Sequence, residues 1–128
     1  MNDSEEPAEI AAAAIDLNAD LGEGLPNDRA LLGLVTSASI CCGAHAGSVD
    51  VIRRTLCDAS DRGVVVGAHP GYPDREGFGR RDQEVSSEQV EALITDQVSA
   101  LGDLAREVRC ECLKMTHRGK SGQPDEAG

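Results

Sequence analysis

Two glycine-flanked histidines carry the first hint of chemistry in this chain. His45 lies in Gly43-Ala44-His45-Ala46-Gly47, and His69 in Gly67-Ala68-His69-Pro70-Gly71. Carboxylates and one amide stand nearby in sequence: Asp16, Asn18, Asp20 and Glu23 before the first histidine, Asp74 after the second. Imidazoles and carboxylates exchange protons near neutral pH and hold small polar ligands. Glycine lets the backbone approach whatever they hold. Taken singly, each has a structural explanation, since Asp20 and Glu23 suit a helix cap and Asn18 a turn. The histidines have no close His-x-x-x-His spacing, so the sequence leaves metal binding open.

Those residues need a scaffold, and the apolar pattern supplies one. Short apolar runs at Ile15–Asn18, Ser37–Cys42 and Val64–Ala68 alternate with longer amphipathic stretches, the pattern of repeated βα units. A short helix is predicted around Ala30 to Val35. A second spans Val49, Ile52, Leu56 and Ala59, with Ser48 or Asp50 as cap and Gly63 as stop. Ser86 and Gln89 form a capping-box signature before Val90, Leu93, Ile94, Val98, Leu101 and Leu104, which predicts a third helix. Val108, Cys110 and Cys112 alternate with charges and predict a fourth strand. The loop from His69 to Val85 is too long for a plain connector.

The expected fold is thus α/β, with about four parallel strands and covering helices over residues 15–114. Residues 1–14 read as a disordered leader and 115–128 as a disordered tail. In such folds the loops after the strands line one rim, where ligands bind. His45 follows the second run. His69, Tyr72 and Asp74 follow the third, and Asn18, Asp20 and Glu23 belong to the first.

Composition narrows the partners. Acidic residues outnumber basic ones 23 to 12, a formal charge of -11 that disfavours nucleic acid and anionic membranes. Local arginine pairs, Arg53–Arg54 and Arg80–Arg81, still suit a small anion at short range. With 2% aromatic residues the core rests on aliphatic side chains. The acidic start is not a secretory signal and no run is long enough to span a bilayer, so the expected location is cytoplasmic. Five cysteines, an odd number, are expected to be reduced. No GxxxxGK[ST] phosphate loop occurs, so any ATP would be held by another polypeptide.

Four blocks of this sequence together resemble the LamB/YcsF family, the A subunits of 5-oxoprolinase. They are Ile15-Asp16-Leu17-Asn18-Ala19-Asp20-Leu21-Gly22-Glu23-Gly24, Val35 through Gly47, Val66-Gly67-Ala68-His69-Pro70-Gly71-Tyr72-Pro73-Asp74, and Gly77-Phe78-Gly79-Arg80-Arg81. The resemblance implies a β/α barrel of the glycoside hydrolase/deacetylase type. It also implies ATP-dependent opening of the 5-oxoproline lactam to L-glutamate, together with separate B and C subunits. By that analogy Asp20, His69 and Glu23 are the catalytic candidates, with Asp20 or His69 as general base. Asp16, Asn18, Gly43, His45, Gly71, Tyr72 and Asp74 would hold the substrate, the Gly43 and Gly71 amides serving the developing oxyanion.

Two departures stand out. Ala44 replaces the phenylalanine usual in the family's second block. Lys114 matches the start of the family's Lys-Pro-His-Gly-Ala-Leu-Tyr motif, but Met115-Thr116-His117-Arg118-Gly119 does not continue it. A closed β/α barrel takes roughly 250 residues, so this chain is expected to be an N-terminal half, inactive alone, with open sheet edges that a homodimer or partner would cover. The competing expectations are an inactive fragment or partner-binding module, and a metal-dependent hydrolase of the carbohydrate deacetylase type.

Overall fold

The computed structural model describes the backbone of residues 14–121 and the side chains of residues 14–109. The chain folds as three βα units: β1 (Asn18–Leu21), α1 (Asp28–Leu32), β2 (Ser37–Cys41), α2 (Val49–Asp61), β3 (Val65–His69) and α3 (Ser87–Ser121). The strands form one parallel sheet in the order β1-β2-β3. Asn18 registers with Ser37 and Ser37 with Val65, while at the far end Cys41 registers with His69.

Alternation along the strands sorts the two faces of the sheet. Leu21, Ala38 and Ile40 are fully buried, in one cluster with Leu32 of α1, Ile52, Leu56 and Ala59 of α2, and Leu101 and Val108 of α3. The opposite face carries Asn18, Asp20, Ser37, Ser39, Val65 and Gly67, all exposed or half-buried. On it the Asn18 side-chain amide donates to Ser37 Oγ (2.8 Å) and accepts from Ser39 Oγ (3.1 Å). A parallel sheet built from successive βα units, with helices packed on one face, is the arrangement of an arc of a β/α barrel.

Helix boundaries follow local chemistry. Ser48 caps α2 by accepting from the Val51 N–H at 3.3 Å, and Gly63 leaves the helix at φ +68°. At the start of α3 the Ser86 N–H donates to Gln89 Oε1 (2.8 Å) and the Gln89 N–H to Ser86 Oγ (3.1 Å), completing the capping box.

Two expectations are corrected. The first strand begins three residues later than the apolar run Ile15–Asn18 suggests, because Ile15 and Leu17 are exposed and Leu21 is the side chain the core takes up. The fourth strand predicted at Val108 to Cys112 is instead part of α3. Leu101, Leu104, Ala105 and Val108 continue one helical stripe onto the core, which outweighs a three-position alternation. Helix α3 also runs past residue 114, so the boundary drawn there falls within it. The leader over residues 1–13 and the last seven residues of the tail, 122–128, lie outside the described residues, as do the side chains of Cys110 and Cys112. No described helix is long and apolar enough to cross a membrane.

Candidate functional site

Because the strands run parallel, their C-terminal ends deliver one group each to the same rim. The turn after β1 brings Glu23, the loop after β2 brings His45, and β3 ends on His69. Glu23 Oε1 lies 4.0 Å from His45 Nε2 and 3.9 Å from His69 Nδ1, while Asp20 Oδ1 of β1 lies 3.7 Å from His69 Nδ1. The two imidazole centroids are 4.9 Å apart. With Pro70, Gly71, Phe78, Gly79 and Arg80, these four side chains line a cavity of about 220 Å³, smaller than the roughly 300 Å³ at which drug-sized sites begin.

Burial sets the character of these groups. The side chain of His45 is 3% exposed and that of Glu23 7%. Burial pushes the Glu23 carboxyl above its ordinary range, and the neighbouring Asp20 carboxylate pushes the same way. Burial, then His69, holds the His45 imidazole below its ordinary value. Neither ring nitrogen of His45, nor Nδ1 of His69, has a hydrogen-bond partner among the described residues. A buried imidazole is normally satisfied by protein or water, so His45 calls for a partner within the cavity.

The loops are braced from behind. The Gly22 N–H donates to Asp28 Oδ2 at 3.0 Å, and the Cys41 thiol donates to the Gly22 carbonyl at 2.8 Å. Gly47, at φ +79°, sits so close to Gly22 and to Cys41 that a Cβ there would lie 2.7 Å from Cys41 Sγ. Arg75 donates to the carbonyls of Gly43 (2.9 Å) and Gly47, tying the third loop to the second. Gln97 of α3 accepts from the Gly71 N–H (3.0 Å) and donates to the Gly71 carbonyl (2.8 Å). Gly71 in turn lies directly against the His45 ring, and Gly79 against its Cβ. Phe78 adopts φ 58°, a conformation rare for a side chain of its size, and its ring meets His45 edge-on at 5.7 Å.

The sequence candidates therefore divide. Asp20, Glu23, His45, His69 and Gly71 come together around the cavity. Asp16 stands before β1 and accepts from Thr36 Oγ1 at 2.6 Å, and Asn18 lies at the entering end of the sheet. Asp74 is turned into its own loop, where it pairs with Arg81 and accepts from the Gly77 N–H at 3.1 Å. Tyr72 borders a separate hollow against α3. Gly43 borders a larger cavity of about 580 Å³ between α2 and α3, away from the histidines. The Gly71 N–H is taken up by Gln97, so it is not free to serve an oxyanion.

Arg75 and Gln97 were not among the sequence candidates. Gln97 had a readable signal: it falls between Ile94, Val98 and Leu101 at the spacing of the apolar stripe, where a polar residue calls for a partner. Arg75 had none, since the carbonyls of Gly43 and Gly47 to which it donates are brought near by folding.

The sequence over residues 15–120 matches the family model described as LamB/YcsF family. Curated proteins named as the A subunit of 5-oxoprolinase, from Neisseria meningitidis serogroups A, B and C, are each 52% identical to the chain over 105 residues, covering 82% of this chain and 43% of their own length. A solved structure of a lactam utilization protein from Thermus thermophilus aligns with a TM-score of 0.70 at 43% identity, over 73% of this chain and 40% of that one. The chain thus spans less than half the length of these relatives.

Proposed function

Because the chain belongs to the LamB/YcsF family, we propose that its rim of Asp20, Glu23, His45 and His69 is the lactam-binding part of a 5-oxoprolinase. The reaction adds water across the ring amide of 5-oxoproline, breaking the C–N bond and giving L-glutamate. ATP is supplied on partner B and C subunits, since this chain has no phosphate-binding loop of the GxxxxGK[ST] kind.

The observation that carries this reading is the convergence of two carboxylates and two imidazoles on one small cavity beside Arg80. Its modest volume suits a five-membered ring better than an extended ligand. Arg80 provides a cation for the carboxylate of 5-oxoproline. Asp20 or His69 takes the proton of the attacking water, being the more exposed of the four. Glu23, whose carboxyl burial favours in the protonated form, is suited to deliver a proton to the leaving ring nitrogen. The polar face of the sheet is open to bulk water here, and coupling hydrolysis to ATP requires all but the reacting water to be kept from the site. Turnover is therefore expected of an assembly in which that face is covered, and not of the isolated chain.

The test is calorimetric titration of the folded chain with 5-oxoproline, alongside Arg80→Gln and Arg80→Glu. Saturable binding that both substitutions weaken supports the reading. A folded chain that fails to bind, or variants that bind as well as the parent, would overturn it. Glutamate release on adding the B and C subunits with ATP, but not from the chain alone, would support the partner assignment.

A further inference from the structure

The rim holds a ligand set that proton transfer alone does not explain. We propose that Glu23, His45 and His69 form a binding site for a divalent transition-metal ion, zinc being the best fit. One ligand atom from each side chain lies within 4.8 Å of the other two. Ligands around a tetrahedral zinc at about 2.0–2.1 Å stand about 3.4 Å apart, so closing this triangle takes shifts of well under about 1 Å per side chain.

Three features support a metal over a simple polar cluster. The first is the donor set. Two imidazoles and one carboxylate, leaving further positions open, is the ligation pattern of catalytic zinc and of facial-triad iron sites, whereas calcium and magnesium favour oxygen alone. The second is that His45, buried to 3% exposure, directs nitrogens into the rim that no described residue bonds. An imidazole seated that deeply without a partner loses hydrogen bonds that water would have supplied, and a metal bond restores one. The third is rigidity. Gly71 packs against the His45 ring and Gly79 against its Cβ, and the Gln97 and Arg75 contacts hold the loops around it. A ligand fixed before the ion arrives costs little reorganisation.

Asp20, 3.7 Å from His69 Nδ1, borders the same point and is placed to orient a water on the ion. A divalent ion there would lower the pKa of that water, and with Glu23 and His69 bound to the ion Asp20 would be the group of the rim left to take its proton. The inference does not depend on the lactam reading, because occupancy is measured without substrate.

The experiment is equilibrium dialysis of the full chain, stripped with chelator, against zinc and then cobalt(II), with folding monitored by circular dichroism. The expected result is one equivalent of zinc per chain and a cobalt spectrum of tetrahedral or five-coordinate character without a thiolate charge-transfer band. His69→Gln and Glu23→Gln should each weaken binding by at least about tenfold, the loss typical of even an outer-shell change, while Cys42→Ser and His117→Gln leave it unchanged. His69 is the informative position, because its half-exposed side chain can be replaced with least risk to folding. A folded chain that retains no zinc, zinc that both substitutions leave in place, or a thiolate band would each overturn the proposal. Zinc binding without 5-oxoproline binding would leave the metal site standing and remove the lactam assignment.

Discussion

Replacing Gln97 with leucine keeps the volume of the side chain while removing both of its hydrogen bonds, at 3.0 and 2.8 Å, to Gly71. Gln97 is 8% exposed and Gly71 half-buried, so water reaches the stranded N–H and carbonyl only in part. A fully buried unsatisfied group costs about 1–3 kcal/mol. Taking the lower end for each of two half-buried groups gives a loss of about 2 kcal/mol. In a domain of this size that lowers the melting midpoint by roughly 10 °C. The isosteric Gln97→Glu supplies an independent check. Its carboxylate still accepts from the Gly71 N–H but faces the Gly71 carbonyl where a donor stood. Burial beside that carbonyl disfavours the ionised form, so the folded state binds the proton more tightly than the unfolded chain, and stability must fall as pH rises. Urea denaturation of the parent and both variants at about pH 5 and pH 7 reads these effects. The Gly71 amide should also exchange faster with solvent in the leucine variant. A loss under about 0.5 kcal/mol, or a Gln97→Glu profile parallel to the parent between the two pH values, would refute the claim that this residue holds the site loop.

Four further outcomes are expected. Gly79→Ala introduces a Cβ 2.8 Å from His45 Cβ at φ +73°, and should destabilise the fold by at least about 1 kcal/mol while shifting the His45 ring signals in NMR. Asp74 is held at a pKa of about 2, first by its hydrogen bond from Arg81. Its depressed value adds stability above the unfolded carboxylate range that is lost as pH falls from 3.8 toward about 2, and Asp74→Asn should remove that part of the acid-unfolding profile. Cys41 is fully buried and its thiol is pushed up to about 11, chiefly by burial, so mass spectrometry should find it unalkylated in the native chain and labelled only after denaturation. Leu101→Ala, at the contact of α3 with the core, should cost about 2–5 kcal/mol by chemical denaturation.

The βα repeat was legible because each element carries its own signal: capping residues at Ser48 and Ser86, helical stripes on α2 and α3, and apolar runs at β2 and β3. What misled was alternation without length. Val108 to Cys112 offers only three apolar positions, and the stripe begun at Leu101 absorbed the first of them. The same limit applied at β1, where Ile15 and Leu17 look like a buried strand and are in fact exposed. In the site, the histidines and the carboxylates of the first block were visible by type. Asp16, Asn18 and Asp74 share the same chemistry in the sequence, and only register and loop closure separate them from Asp20 and Glu23.

That separation has a structural logic. A parallel sheet places the ends of successive strands side by side, so residues about one βα unit apart become neighbours although nothing in their local sequence says so. Glu23, His45 and His69 each come from a different unit, and no one motif could have announced the set. The price is that three independent loops must be held in mutual register. Each is anchored by a contact that reaches outside it: Asp28 to the turn after β1, Arg75 to the carbonyls after β2, and Gln97 to Gly71 after β3. If the rim were only a solvated polar edge, releasing one anchor would cost local stability and nothing more. If it is a preorganised ligand set, Gln97→Leu should weaken zinc binding as well, although Gln97 touches none of the three ligands' donor atoms. Measuring both quantities on that one variant separates a braced site from a merely braced loop.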